Sequence, residues 1–483
     1  MRKLLLASAA AIGATTGMLG VASAQAPQAP LAAPQAQTVL ATPPLQTLVV
    51  PNNGNAANSN NNYQTALLPG AVANPVPGSF VIRLNGAIWT EFDFTGSNAN
   101  NTLAGKINTQ SLVTYLRLYP GFDAVAANGL RYGGQAEIRE NFVGNATTTG
   151  SNGASGVTSG QTLYIRRAFL YLAADQAGLL RVGQTDSISG IFDNGVTTFQ
   201  NFDTGGWNGD PNALPANVQV SFPFFSQQGA DYGYSKFVYL SPQFAGFDVG
   251  LQYAPNTGNG AYSCAYAGVA TPSTCPALSS SVTVGDGARP TNQYAAGARY
   301  QGTFGPVGLY VWGTYTGSGT VNYTGPAALP ELGGPKGNVY NGKFDNQSVG
   351  FGGAALTIAG VTFGGAYQGG NYNGLGAAKP ELGAKGRAWI AGVQYAAGPL
   401  VVGTSFYNYQ SQGAVTLTGI SQRAENGLDV GGTYNIAPGL WGFAQYLWGT
   451  RHQGDYNFVL AENGAANNTI TAQQFILGTK VRW

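Results

Sequence analysis

From Gly78 onward the chain alternates with a period of two. In the first such segment Phe80, Ile82, Leu84, Ile88, Phe92 and Phe94 are apolar, and the intervening positions include Arg83, Asn85, Trp89, Glu91 and Asp93. Successive side chains of a strand point to opposite faces, so this pattern predicts a strand with lipid on one side and water on the other. Its length, about 15 residues, suits a tilted membrane strand whose ends protrude into water. Leu130 to Phe142 repeats the pattern. Arg131, Gln135, Glu137, Arg139 and Asn141 share one face, Leu130, Tyr132, Ala136, Ile138 and Phe142 the other, and Glu140 interrupts the apolar face only near the outer end. The last residues close in the same way, with Phe475, Leu477, Thr479, Val481 and Trp483 alternating with Gln474, Ile476, Gly478, Lys480 and Arg482.

The same rule predicts strands near 79–94, 109–119, 129–142, 161–173, 177–186, 232–241, 245–255, 292–303, 306–317, 346–358, 360–372, 385–396, 398–410, 424–436, 439–452 and 470–483, sixteen in all. Every second connection is short, as at Asp175-Gln176, Ala359-Gly360, Ala397-Gly398-Pro399 and Ala437-Pro438-Gly439. The others are mostly long, among them 144–160, 187–231, 256–291, 318–345 and 453–469. Tight turns on one rim and long loops on the other are what a membrane barrel requires, and two ends on the short-turn rim make the count even. The predicted fold is therefore all-β, a 16-stranded antiparallel transmembrane β-barrel with an infolded third loop. Aromatic residues at strand ends, Trp89, Phe92, Phe94, Tyr119, Tyr409, Trp441 and Trp448, are expected to form interfacial girdles.

Composition agrees with this reading. Charged residues make up 9% of the chain, against roughly 25% in soluble domains, while there are 72 glycines and 12% aromatics. Arg2 and Lys3 precede an apolar run, Leu4 to Val21, that closes on Ala22-Ser23-Ala24, so residues 1–24 read as a secretory signal peptide. Removing those two cations leaves 20 Lys+Arg against 20 Asp+Glu, with no basic excess for nucleic acid. Residues 25–77, Pro/Gln-rich and then Asn-rich, read as a disordered periplasmic segment, either a passive linker, a cell-wall tether or a partial plug. Residues 78–483 read as the barrel domain.

The third outer loop, Ser187 to Asp231, carries the most chemistry. It holds Asp193, Asp203, Asp210 and Asp231 but no Lys, Arg or His, and its Phe192, Phe199, Phe202, Trp207, Phe222, Phe224 and Phe225 are too apolar for a loop left in water. Folded into the lumen of a 16-stranded barrel, it would narrow the channel; turned outward, it would cap the surface. Arginines crowd strands one to five: Arg83, Arg117, Arg131, Arg139, Arg166, Arg167 and Arg181. Strand parity places most of them in the lumen, but adjacent Arg166 and Arg167 cannot both follow it without a bulge, a subunit contact or a different phase. A basic wall facing an acidic loop sets up a transverse field that favours polar solutes over apolar ones.

Other chemistries are thinly represented. Cys264 and Cys275 fall in one loop of a secreted chain, which predicts a local disulfide, against the alternative of two free thiols. Two Cys and the single His452 do not make a structural zinc site. No cofactor is predicted, apart from a calcium ion that Asp203 and Asp210 would hold, without an EF-hand pattern. Neither a G-x-S-x-G elbow nor a P-loop occurs, so the sequence reads as a non-enzyme.

The signal peptide, sixteen alternating segments, a long third loop after YIRRAFLYLAADQAGLLRVGQTDS and the aromatic C-terminus together resemble a Gram-negative general porin, most like those of alphaproteobacteria. That resemblance spans about residues 78–483. It implies a homotrimeric, non-specific diffusion channel for small hydrophilic solutes and ions, embedded in outer-membrane lipid, with the third loop as its eyelet. It also implies that Phe475 and Trp483 serve the barrel-assembly machinery, although such chains usually end in Phe. Residues 25–77 have no counterpart in that plan. A sugar-selective channel and a non-transporting surface adhesin or cell-wall anchor are the rival readings.

Overall fold

A computed structural model describes residues 75–102, 106–107, 109–141, 162–174, 176–193, 234–256, 291–319, 345–372, 379, 383–413, 422–460 and 462–483. The predicted signal peptide, most of the 25–77 segment, Asp203, Asp210, Cys264 and Cys275 lie outside these residues.

Sixteen antiparallel strands close into a barrel. They are β1 (Phe80–Ser97), β2 (Gln110–Val125), β3 (Arg131–Asn141), β4 (Thr162–Ala174), β5 (Gly178–Gln184), β6 (Ser235–Leu240), β7 (Phe247–Asn256), β8 (Thr291–Phe304), β9 (Val307–Gly317), β10 (Ser348–Ile358), β11 (Val361–Asn371), β12 (Gly386–Ala397), β13 (Leu400–Ser411), β14 (Arg423–Ala437), β15 (Leu440–His452) and β18 (Thr469–Arg482). A small hairpin, β16 (Tyr456–Asn457) with β17 (Glu462–Asn463), lies between the last two barrel strands, and a short helix, α1 (Ile188–Phe192), follows β5. Each strand pairs with its neighbours in sequence, and β18 pairs with both β15 and β1.

That closure answers a physical demand, because a backbone N–H or C=O left unpaired in lipid costs several kcal/mol and an open sheet exposes a row of them. The seam runs from Ala87↔Arg482 to Ser97↔Ala472. It ends on Trp483, which exchanges two backbone bonds of 3.1 Å with Gly86. The indole lies across Gly86, where an added Cβ would collide with the ring.

Alternation decides which face each residue takes. Ile82 is 75% exposed and Leu163 61%, whereas inward Trp89, Glu91 and Asp93 are each 1% exposed. Tight turns match the sequence closely. Ala359 (φ 48°) and Gly360 (φ 84°) form a two-residue hairpin with both residues in the left-handed region, the geometry whose twist suits the flanking strands. β2 runs on to Val125, past the predicted end at Tyr119. Pro120 lacks an N–H, so the β2–β3 ladder has no pairs at Tyr119 and Pro120 and resumes at Gly121↔Gln135 in unchanged register.

The girdle expectation needs correction for four residues. Trp89, Tyr119 and Tyr409 are buried on the inward face, where Trp89 stacks on Tyr115 with centroids 4.9 Å apart, and Trp441 shares the inward parity of Phe443 and Gln445 opposite buried Lys480. Outward Tyr and Trp residues come instead from later strands, among them Tyr253, Tyr294, Tyr315, Tyr367, Trp389, Tyr395 and Tyr434. An aromatic ring suits an interface and a packed lumen wall alike, so residue type could not separate the two.

Candidate functional site

The third loop begins inside the barrel. Ser187 caps α1 by accepting a hydrogen bond from the Gly190 N–H at 3.1 Å, and every residue of the helix is buried. Barrel-wall groups then hold both ends. Ile188 N–H donates to Gln252 Oε1 of β7 at 3.0 Å, and Ser189 Oγ lies 2.9 Å from Thr314 Oγ1 of β9. At the other end the Phe192 carbonyl accepts from the Tyr310 hydroxyl, and the Arg299 guanidinium stands 4.7 Å from the Phe192 ring. Asp248 fixes that guanidinium through two bonds of 2.7 Å, at Nε and Nη2.

Beneath the helix the wall is cut away. A Cβ added to Gly250 would stand 2.6 Å from Ile188 Cδ1 and 3.0 Å from Phe192 Cζ, and one added to Gly297 would stand 3.2 Å from Ile188 Cγ2. Glycine at these two inward positions is what lets the helix seat against the wall. Asp193, the first predicted loop acid, is fully buried at the end of the helix.

The predicted arginines line the inward faces of β1–β5. A β-bulge between Glu137 and Ile138 of β3 answers the Arg166/Arg167 question: Glu137 pairs with Arg167 and Ile138 with Ile165, leaving Arg166 as the extra residue. Both guanidiniums thereby reach the lumen side and both contact Glu137, Arg166 through Nη1 at 3.2 Å. Arg139 also contacts Glu137, so one buried carboxylate collects three cations. Arg167 turns its remaining donors on Asp186, with Nη2 at 2.5 Å from Oδ1, and Lys236 of β6 donates to the Thr185 carbonyl at 2.6 Å. These two contacts fasten the root of the third loop to the basic wall.

The remaining predicted positions are distributed around this cluster. Arg117 lies over the Trp89 ring at 4.5 Å. Arg181 donates to Thr185 Oγ1 at 3.3 Å. Arg83 forms a separate buried group with Asp123, Nε to Oδ2 at 2.5 Å, to which the Tyr171 hydroxyl donates at 2.6 Å. Arg131 is half-buried at the start of β3. Phe475 and Trp483 are exposed on the outer surface.

Sequence reading did not single out Glu137, Asp186, Lys236, Asp248 or Arg299. The signal for the last pair was present, because Asp248 and Arg299 are inward residues on adjacent strands and stand directly opposite in register. Charge is also unevenly spread around the wall. Inward side chains of β9–β13 are uncharged, and include Tyr310, Trp312, Phe351, Ile390, Tyr407 and Tyr409.

Solved structures with a similar fold are distant in sequence. They include in-vitro folded OmpT of Vibrio cholerae in a trimer form (14% identity, 84% of this chain and 100% of that one, TM-score 0.46), an anion-selective porin from Comamonas acidovorans (14%, 84% and 100%, TM-score 0.45) and Salmonella typhi OmpF in complex with daunomycin (13%, 83% and 97%, TM-score 0.49). None of the curated proteins matches the sequence significantly. Residues 81–450, by contrast, match the Gram-negative porin family, which covers most of the closed barrel and the root of its third loop. The chain therefore belongs to the Gram-negative porin family and is a transmembrane β-barrel of the outer membrane.

Proposed function

We propose that the barrel is a water-filled channel for passive diffusion of small hydrophilic solutes and ions, narrowed where loop 187–231 faces the arginines of β1–β5. The observation that carries this reading is the docking of α1 on the inner wall of β7–β9, because it starts the loop inside the barrel and away from the outer rim. On the same lumen wall, four to six strands round from β8, stand Arg117, Arg139, Arg166 and Arg167, and the loop beyond α1 contributes acids and no cation. Such an arrangement orients dipolar solutes and penalises apolar ones. Membership of a porin family supports transport and gives no ground for catalysis.

The outer surface favours a homotrimer. Outward positions of β6–β15 carry a belt of Tyr and Trp, as expected where strands meet lipid headgroups. Those of β1–β5 carry mainly aliphatic residues and Phe, such as Ile82, Leu84, Leu112, Leu163, Ile165 and Leu170, with Tyr132 as the exception. A face without a belt is suited to subunit contact. Outward Phe475 and terminal Trp483 would serve recognition by the barrel-assembly machinery.

Deleting residues 195–225 tests the constriction. In liposome-swelling assays the deletion variant is expected to admit larger neutral sugars than the native channel. An unchanged size cutoff would remove this loop from the eyelet, and block by a single sugar at low concentration would favour a substrate-selective channel.

A further inference from the structure

The eighth outer connection, from β15 to β18, also turns into the barrel. Tyr456, Asn457, Phe458 and Val459 are all buried, and Gln453 is fully so. Backbone bonds hold the loop in shape: Gln453 N–H to the Asn468 carbonyl at 3.0 Å, Phe458 N–H to the Asn467 carbonyl at 3.1 Å, and Gly464 N–H to the Asp455 carbonyl at 2.9 Å. Asn457 Oδ1 accepts from the Val459 and Leu460 amides at 3.0 and 3.2 Å, which reverses the chain just after Phe458.

What the loop covers defines its side of the wall. Arg451 has the inward parity of Phe443, Gln445 and Leu447, all buried, while Tyr446 between them is exposed on the outer surface. The Phe458 ring lies 5.7 Å from the Arg451 guanidinium and 5.1 Å from that of Arg423 on β14, and the Tyr456 ring lies 5.3 Å from Arg423. Gln453 Oε1 accepts from Arg423 Nε at 3.0 Å, and Glu425 holds Arg451 Nε at 2.8 Å. The loop therefore lies on the lumen side, its rings laid over two fixed cations. Around the barrel β15 is seven strands from β8, one step short of diametrically opposite the α1 seat.

We propose that Tyr456–Leu460 is a second constriction element, narrowing the outer part of the lumen from the wall opposite α1 and screening Arg423 and Arg451 from passing ions. This inference rests on the channel reading above. It makes the eighth loop a limit on conductance and a brake on anion preference at the outer mouth.

The test is single-channel recording in planar bilayers of the native protein, a variant with residues 455–463 replaced by a short Gly-Ser link, and the double substitution Tyr456→Ala/Phe458→Ala. Removing the loop is expected to raise conductance by about 1.5-fold or more and to move the reversal potential in a KCl gradient toward chloride. The link also removes Asp455 and Glu462. The double substitution keeps both acids, and is expected to give the same chloride shift with a smaller rise in conductance. Heat-modifiable migration identifies folded barrels, and if the link variant does not fold, the double substitution alone decides. A native barrel that does not conduct overturns the channel reading itself. A conducting native barrel, with unchanged conductance and selectivity in the folded variants, overturns this proposal and leaves that reading intact.

Discussion

Glu137 organises the basic wall. Three guanidiniums, Arg139, Arg166 and Arg167, converge on its carboxylate, and Arg167 passes the connection on to Asp186 at the root of the third loop. Positive charge remains in excess, so this side of the lumen should favour anions. Two unit charges 4 Å apart interact by about 1 kcal/mol even in water, so removing two cations is expected to alter ion preference several-fold. Reversal potentials of an Arg139→Gln/Arg166→Gln variant should accordingly shift toward cations, and an unchanged value would remove both from the permeation path. At this scale the sequence was legible wherever parity was unbroken. Arg83 and Arg139 lie where a period of two puts them. Arg166 and Arg167 were not legible, because one bulged residue resets the phase and nothing in the local sequence marks it.

Among elements, α1 is five residues long and owes its position to the wall. A helix this short has little stability of its own. Its cap, the Gln252, Thr314 and Tyr310 contacts and the two-glycine floor supply the rest. Gly250→Val would drive a branched side chain into Ile188 and Phe192, and overpacking of that kind costs about 1–3 kcal/mol. The expected outcome is a folded barrel whose third loop has come off its seat. Chymotrypsin reports this directly, because the loop is rich in Phe and has no Lys or Arg for trypsin. Faster cleavage between Phe199 and Phe225 is predicted, and a native cleavage rate would show that the glycine floor is dispensable. The helix that opens the loop packs inside the barrel, as the loop's aromatic content suggested. Its seat was not legible, since the partners of Ile188 and Ser189 lie 64 and 125 positions away and become neighbours only when the barrel closes.

The whole molecule is a closed ring whose two sides differ. Charged side chains line β1–β8 and the closing strands β14, β15 and β18, and the inward faces of β9–β13 are neutral and aromatic. Strand number, turn rim and closure could all be read from alternation and loop length, because lipid imposes the same rule on every strand. The girdle could be read less well, since Trp89, Tyr119, Tyr409 and Trp441 turn into the lumen. Conduction is the property on which these scales converge. Single-channel recording of the purified, heat-modifiable barrel in planar bilayers tests it most directly. The account predicts discrete steps whose conductance rises in proportion to salt concentration, and a folded barrel that gives no steps would contradict it.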